Sequence, residues 1–288
     1  MAYQTLFVTG LKIFGIESRP LHKVLEFNHD LNIPGITGSE SGTIQFLQDL
    51  GIYPKKGNGW KRFSDLTTEE VQRLYTAIIL KKEKQEDIEN IFGKNYIMLD
   101  EKDSVLRDAR EFSTVLNACG RLNKASLGIG TCIGDEKLKQ KAITTLKRYK
   151  SEIVRAIQWY KSNDKTENII KGKGYVIINA KGSIMHTIIG TLSSIISKGK
   201  EYPEGTYIMS MAKNDDNEIK VSLRVAGRAN KTVDLRKIMA QILHSMDEVE
   251  TGGHKSAAGA IIPLEKEERF IEIAEQVLAK NVISKSSE

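Results

Sequence analysis

Apolar positions in this chain repeat with two periods, and the change of period divides it. From Glu136 to about Ser162, the residues Leu138, Ala142, Leu146, Tyr149, Ile153, Ile157 and Tyr160 recur at helical spacing over many turns. That spacing predicts one long amphipathic helix. The polar run from Asn163 to Asn168 ends it and marks a natural boundary. Beyond the run, short β-branched stretches alternate with helical ones. Tyr175–Asn179, Tyr207–Ala212, Ile219–Ala226 and Gly259–Ile262 read as strands, the second and third joined by the turn-forming cluster Asn214-Asp215-Asp216-Asn217. Ile188, Ile189, Leu192, Ile195 and Ile196 share one helix face, with Gly190 allowing close packing. Leu235, Ile238, Met239 and Ile242 share another behind a capping Asp234, and Phe270, Ile273, Ala274, Val277 and Leu278 share a third. Pro263 stops the last strand, and residues 284–288 read as a frayed tail.

Ahead of the long helix, residues 1 to about 64 are rich in glycine and punctuated by proline. Gly35-Ile36-Thr37-Gly38 and Lys56-Gly57-Asn58-Gly59 mark loops between short helical pieces. Ile44, Phe46, Leu47 and Leu50 predict a short helix after Ser41-Gly42, ended by Gly51. Thr67-Thr68-Glu69-Glu70 is a capping box ahead of the one-faced stripe Val71, Leu74, Tyr75, Ile78 and Ile79. The expectation is an α/β protein in three parts. A largely helical, loop-rich region occupies 1–135, a long connecting helix 136–165, and a small α/β domain 166–288, with strand order and direction left open.

Composition refines this. The 288 residues, 40% of them hydrophobic, suffice for one large core or two domains. Lys plus Arg number 43 against 37 Asp plus Glu, and the resulting charge of +6 is compatible with a polyanionic ligand without requiring one. Lys137, Lys139, Lys141, Lys147, Arg148, Lys150 and Arg155 lie between the apolar positions of the long helix. They form either a solvated face or the flank of a nucleic-acid groove, and one helix can serve both ends. Cys119 and Cys132, without a Cys-x-x-Cys pair, indicate neither a zinc site nor a disulfide framework and read as small core residues. No basic leader with a cleavage site opens the chain, and no run reaches the roughly 18 apolar residues of a membrane span. A soluble, cytoplasmic protein with no membrane partner is the expectation.

The segment with the most chemical content is Thr251-Gly252-Gly253-His254-Lys255-Ser256-Ala257-Ala258-Gly259-Ala260. Its paired glycines free the backbone so that successive N–H groups converge, with the His254 imidazole and the Lys255 ammonium beside them, as in a phosphate cradle. Ala257-Ala258-Gly259 leaves no bulk to keep a neighbour or ligand away. Arg224, near the end of a strand, meets His254 in this picture, and both make charge-assisted contacts to phosphate oxygens. Contacts of that kind fix a backbone without reading bases, so the implied ligand is nonspecific single-stranded DNA or RNA. Arg228 and Lys231 either extend the basic surface or are solvated loop charges.

Gly-Gly-His-Lys-x-Ala-Ala-Gly, at positions 252–259, resembles the signature of the DHH-associated domain, the C-terminal substrate-binding module of the RecJ-like phosphoesterases. Val221-Ser222-Leu223-Arg224 resembles that family's strand presenting an arginine to the nucleic-acid backbone, although Val225 stands where the pattern has a small polar residue. Leu116-Asn117-Ala118-Cys119-Gly120-Arg121-Leu122, followed by Ala125-Ser126-Leu127, resembles the Asn-Ala-x-Gly-Arg segment before the connecting helix of RecJ-type nucleases. Within it, Arg121 is either a nucleic-acid contact or a helix-capping group. Phe14-Gly15-Ile16-Glu17-Ser18-Arg19-Pro20-Leu21-His22-Lys23 and Ile33-Pro34-Gly35-Ile36-Thr37-Gly38 resemble the post-catalytic region of archaeal RecJ-like proteins. The residues expected to bind nucleic acid are Arg224, Gly252, Gly253, His254, Lys255, Arg121 and Arg228.

The family's chemistry resembles two-metal phosphodiester hydrolysis, which needs several Asp and His ligands. No Asp-His-His occurs in the chain. Its nearest imitations are Asn28-His29-Asp30 among loop residues, Gly134-Asp135-Glu136 opening a helix, and Asn214-Asp215-Asp216 in a turn. Of five histidines, His22 and His29 read as structural or surface groups and His244 as a helix-end residue. No catalytic residue, metal or cofactor is therefore expected. The resemblance extends to truncated archaeal relatives that stand in for the RecJ-related subunit of the CMG helicase, which implies binding to single-stranded DNA, to GINS and through it to MCM. Two alternatives stay open. One is the binding half of a nuclease whose metal-bearing half is another chain; the other is a general RNA- or DNA-binding module, since similar domains occur in alanyl-tRNA synthetases.

Overall fold

The computed structural model describes residues 5–28, 33–82, 91–101, 105–199, 201–227, 233–244, 246 and 250–282. They form two compact units, Met1–Leu146 and Lys147–Glu288.

The first unit contains, in chain order, β1 (Thr5–Leu11), α1 (Leu21–Glu26), α2 (Glu40–Asp49), β2 (Lys55–Lys56), β3 (Gly59–Trp60), α3 (Thr68–Lys82), β4 (Phe92–Met98), α4 (Ala109–Arg121) and α5 (Ala125–Cys132). The capping box ahead of α3 forms as expected: the Glu70 N–H donates to Thr67 Oγ1 at 3.3 Å and the Thr67 N–H to the Glu70 carboxylate at 3.0 Å. Leu74 and Ile78 from its stripe are buried with Leu11, Ile16, Leu25 and Leu47 in one apolar core. Two features depart from the sequence expectation. β1 and β4 pair antiparallel into a ribbon, from Thr5 with Met98 to Leu11 with Phe92. Five of the seven β1 residues are exposed, so no buried alternation announces the strand. Cys119 is buried as expected, but Cys132 is exposed as the final residue of α5, just past the buried Gly130 and Thr131.

The long helix α6 (Glu136–Asn163) matches its prediction, with Ala142, Leu146, Tyr149 and Tyr160 buried. Asp135 caps it by accepting the Leu138 N–H at 2.9 Å. One basic side chain is not on a solvated face. Lys139 is buried and its ammonium lies 2.6 Å from Glu101, because an ion pair makes burial of the charge tolerable. Among the described residues, no helix is long and apolar enough to cross a membrane.

The second unit is built on six strands: β5 (Ile169–Gly172), β6 (Tyr175–Asn179), β7 (Tyr207–Lys213), β8 (Glu218–Val225), β9 (Glu250–His254) and β10 (Ala257–Pro263). Their order is β5-β6-β7-β8-β10-β9, with β6 and β7 parallel and every other pair antiparallel. Three helices cover it: α7 (His186–Lys198), α8 (Leu235–Leu243) and α9 (Glu267–Lys280). Met209, Met211, Val221, Leu223, Ala258, Ala260 and Ile262 line one sheet face and join Leu235, Ile238 and Ile242 of α8 and Phe270, Ala274 and Leu278 of α9 in a single core. On the opposite face α7 packs on β7 and β8. There the Ser193 and Ser210 hydroxyls are hydrogen-bonded, and a Cβ on Gly190 would come within 2.9 Å of Ser222 Oγ. Gly190 thus permits the close packing its position suggested.

Candidate nucleic-acid interface

The glycine-rich segment is a strand and a turn, not a loop. Residues 250–254 form β9, the outermost strand, and Lys255-Ser256 is the two-residue connection into β10. The register pairs His254 with Ala257, Gly253 with Ala258, Gly252 with Gly259, and Thr251 with Ala260. Successive N–H groups of an extended strand point to opposite sides, so they do not converge as a cradle would require. Glycine and alanine offer no alternation of large and small side chains, which is why the sequence pattern alone concealed the strand.

What forms instead is a flat shelf. Ser210 pairs with Ser222, Ser222 with Gly259, and Gly259 with Gly252, which places these four in one row on one face. One step along β8 and β9, on the same face, lie Arg224 and His254, with Ala257 on the strand between them. Arg224 and His254 therefore stand on the same face, with β10 between them. β8, deep in the sheet, anchors the arginine. Its Nε donates to Ser194 Oγ on α7 at 3.1 Å, and its Nη1 to the Leu223 carbonyl at 2.8 Å and more weakly to the Ala258 carbonyl at 3.5 Å. His254 and Lys255 are exposed.

The three glycines of the β9–β10 hairpin have different reasons to be there. Gly253 has φ +138°, and a Cβ on it would stand 2.3 Å from the Ala257 carbonyl oxygen. A Cβ on Gly259 would stand 2.9 Å from the Val221 carbonyl oxygen. Gly252 has neither constraint: its φ is not positive, and a Cβ there would meet nothing within 4 Å.

The tip of the hairpin is fastened at the start of α8, where the Leu235 N–H donates to the Lys255 carbonyl at 2.8 Å. Asp234 caps that helix through the Arg236 N–H, and the Arg236 guanidinium beside it pulls its carboxyl down to about 2. Arg121 belongs to the first unit, exposed in the last turn of α4, where positive charge meets the helix dipole. Arg228 and Lys231, and His29 and Asp30 of the nearest metal-like triplet, lie outside the described residues. Sequence reasoning missed Ser194 and Ser222. Ser194 shares its helix face with Gly190, Thr191 and Ser197, which singles it out in no way, and its partner stands 30 residues later.

Two domain families match the chain: the DHH-CID domain over residues 13–91 and the DHHA1 domain over residues 173–280. Together the two matches support a RecJ/DHH-family protein. The DHHA1 match contains the whole shelf, and the DHH-CID match contains most of the core of the first unit. An uncharacterized protein of Methanocaldococcus jannaschii is 25% identical over 274 residues, covering 94% of this chain and 55% of that relative. Among solved structures, CDC45 from Entamoeba histolytica matches with a TM-score of 0.51 at 8% identity, over 95% of this chain and 58% of that one. RecJ from Thermus thermophilus, solved in complex with Mn2+, matches with a TM-score of 0.46 at 14% identity, over 89% of this chain and 38% of that one. The chain thus spans just over half the length of the curated relative and of CDC45, and what it shares with CDC45 is the fold.

Proposed function

We propose that this RecJ/DHH-family chain is a non-catalytic component of the DNA replication machinery that holds single-stranded DNA by its sugar-phosphate backbone and scaffolds GINS and, through it, the MCM helicase. The observation that carries the proposal is Gly252. Neither backbone conformation nor packing requires a glycine there, and glycine weakens a strand. Close approach of a ligand gives it a purpose. The shelf it keeps flat is flanked on the same face by Arg224 and His254, and it lies at a sheet edge, where outward N–H groups of β9 are available to anionic oxygens. Nothing in this arrangement reads a base, so the contact is nonspecific.

Support for a place in replication comes from the fold shared with CDC45 along nearly the whole chain, and GINS and MCM are the partners that the archaeal RecJ-like resemblance implies. Support for a non-catalytic role is that no Asp-His-His occurs in the sequence.

Binding of a fluorescent single-stranded oligonucleotide tests the grip. Arg224→Ala and His254→Ala are each expected to weaken it about tenfold, the scale of one charge-assisted hydrogen bond, with the fold retained. Unaltered binding by both variants would refute the site. Purification from native cells tests the scaffold, which requires GINS to accompany the chain. Incubation of labelled DNA with manganese tests the absence of catalysis. Cleavage by the chain alone would overturn it, and cleavage only after addition of another polypeptide would identify a split nuclease.

A further inference from the structure

The hairpin β2–β3 carries a second concentration of nucleic-acid chemistry, in the first unit and remote in sequence from the shelf. Residues 53–62 read Tyr-Pro-Lys-Lys-Gly-Asn-Gly-Trp-Lys-Arg: four cations, two large aromatic rings and no acidic residue. Lys55 pairs with Trp60 and Lys56 with Gly59, and the Lys61 N–H donates to the Pro54 carbonyl at 2.7 Å, which carries the register one step further. Side chains of paired strands alternate in direction, so Tyr53, Lys55 and Trp60 share one side and Pro54 and Lys56 the other. Burial agrees: Pro54 is buried, whereas Tyr53 is 70% and Trp60 43% exposed.

The cations divide in the same way. Lys56 and Lys61 are held by Asp65 and Glu70, each at 2.6 Å, and serve the fold. Lys55 is exposed, its ammonium 5.6 Å from the centre of the Trp60 ring. Trp60 is held from beneath by the buried His22, ring centres 4.2 Å apart. Tyr53 and Trp60 are diagonal neighbours across the hairpin, their backbone positions roughly 7–8 Å apart by the geometry of such pairs, so the two rings border one surface.

We propose that this face stacks unpaired bases of a single-stranded nucleic acid on Trp60 and Tyr53, with Lys55 against the adjoining phosphate. Exposed aromatic rings also suit protein partners, but the exposed Lys55 on the same face as both rings, with no carboxylate in the stretch, suits a polyanion. The site shares its ligand with the sheet-edge proposal and none of its residues.

The full-length chain carrying Trp159→Phe keeps Trp60 as its one tryptophan and is titrated with a thymidine oligomer and with an abasic oligomer of equal length. Quenching of Trp60 fluorescence by the first and not the second is expected. Tyr53→Ala is expected to lower affinity for the thymidine oligomer roughly tenfold or more, the scale of one lost base–aromatic stack, while abasic binding is unchanged and Tyr53→Phe restores the parent affinity. Absence of quenching, or equal effects of Tyr53→Ala on both oligomers, would overturn the proposal. Arg224→Ala separates the two sites: if it weakens both oligomers while quenching never appears, the sheet edge stands and the hairpin falls. If Arg224→Ala changes neither and Tyr53→Ala weakens only the thymidine oligomer, the hairpin stands alone.

Discussion

Gly252 and Gly253 are adjacent, identical and under opposite constraints. Gly253→Ala forces a Cβ to within 2.3 Å of a backbone oxygen at φ +138°, so a loss of about 1–3 kcal/mol in chemical denaturation is expected. Gly252→Ala adds a methyl group to open space at an ordinary φ. Its stability is expected to stay within ~1 kcal/mol of the parent, on the stabilising side, because alanine restricts the unfolded chain. Its binding to single-stranded DNA is expected to fall roughly tenfold, since an extra methyl forced into a close contact costs on the order of 1–3 kcal/mol. A Gly252→Ala protein with full affinity would show that the shelf bears no ligand. The sequence drew attention to both glycines through the motif they share. It did not separate them, because the difference lies in the backbone of β10, which a Cβ on Gly253 would strike and one on Gly252 would not.

Strand β6 and helix α9 are tied by two side-chain contacts, one of which responds to pH. The Tyr175 hydroxyl donates to Glu275 at 2.8 Å, and Asn179 to Glu267 at 2.5 Å. Burial, reinforced by the Glu275 carboxylate, pushes the Tyr175 hydroxyl up to about 12. The folded state therefore holds this proton more tightly than the unfolded chain does. The associated stability is complete below about pH 10 and is lost as pH rises from there to about 12. Tyr175→Phe is expected to flatten the decline in unfolding free energy across that window, measured by urea denaturation at a series of pH values. Part of the slope will persist, because burial also raises Tyr75, Tyr202 and Tyr207. Helices such as α3 and α6 were legible because their stripes recur within a few residues. β1 and β4 were not, since the residues that pair, Phe7 and Tyr96 among them, stand far apart in sequence and are both exposed.

At the scale of the whole chain, a charge of +6 over 288 residues is a weak attraction, so binding should depend on a few placed cations. Affinity for single-stranded DNA is expected to fall linearly with the logarithm of salt concentration, and Arg224→Ala should reduce that slope by about 0.7, the contribution of one phosphate contact. A slope unchanged by the substitution would mean that the guanidinium meets no phosphate. The amino-acid sequence by itself determined the long helix, the alternation of strands and helices beyond it, the capped α3 and the glycine motif that falls within the DHHA1 match. Each of these depends on the chemistry of residues within a few positions of one another. Only the tertiary structure decided that the glycine run is an edge strand, that Arg224 is steadied by Ser194, and that Tyr53 and Trp60 share a face. Strand pairing and burial join residues whose separation along the chain carries no periodic trace, and so they exist only once the chain has folded.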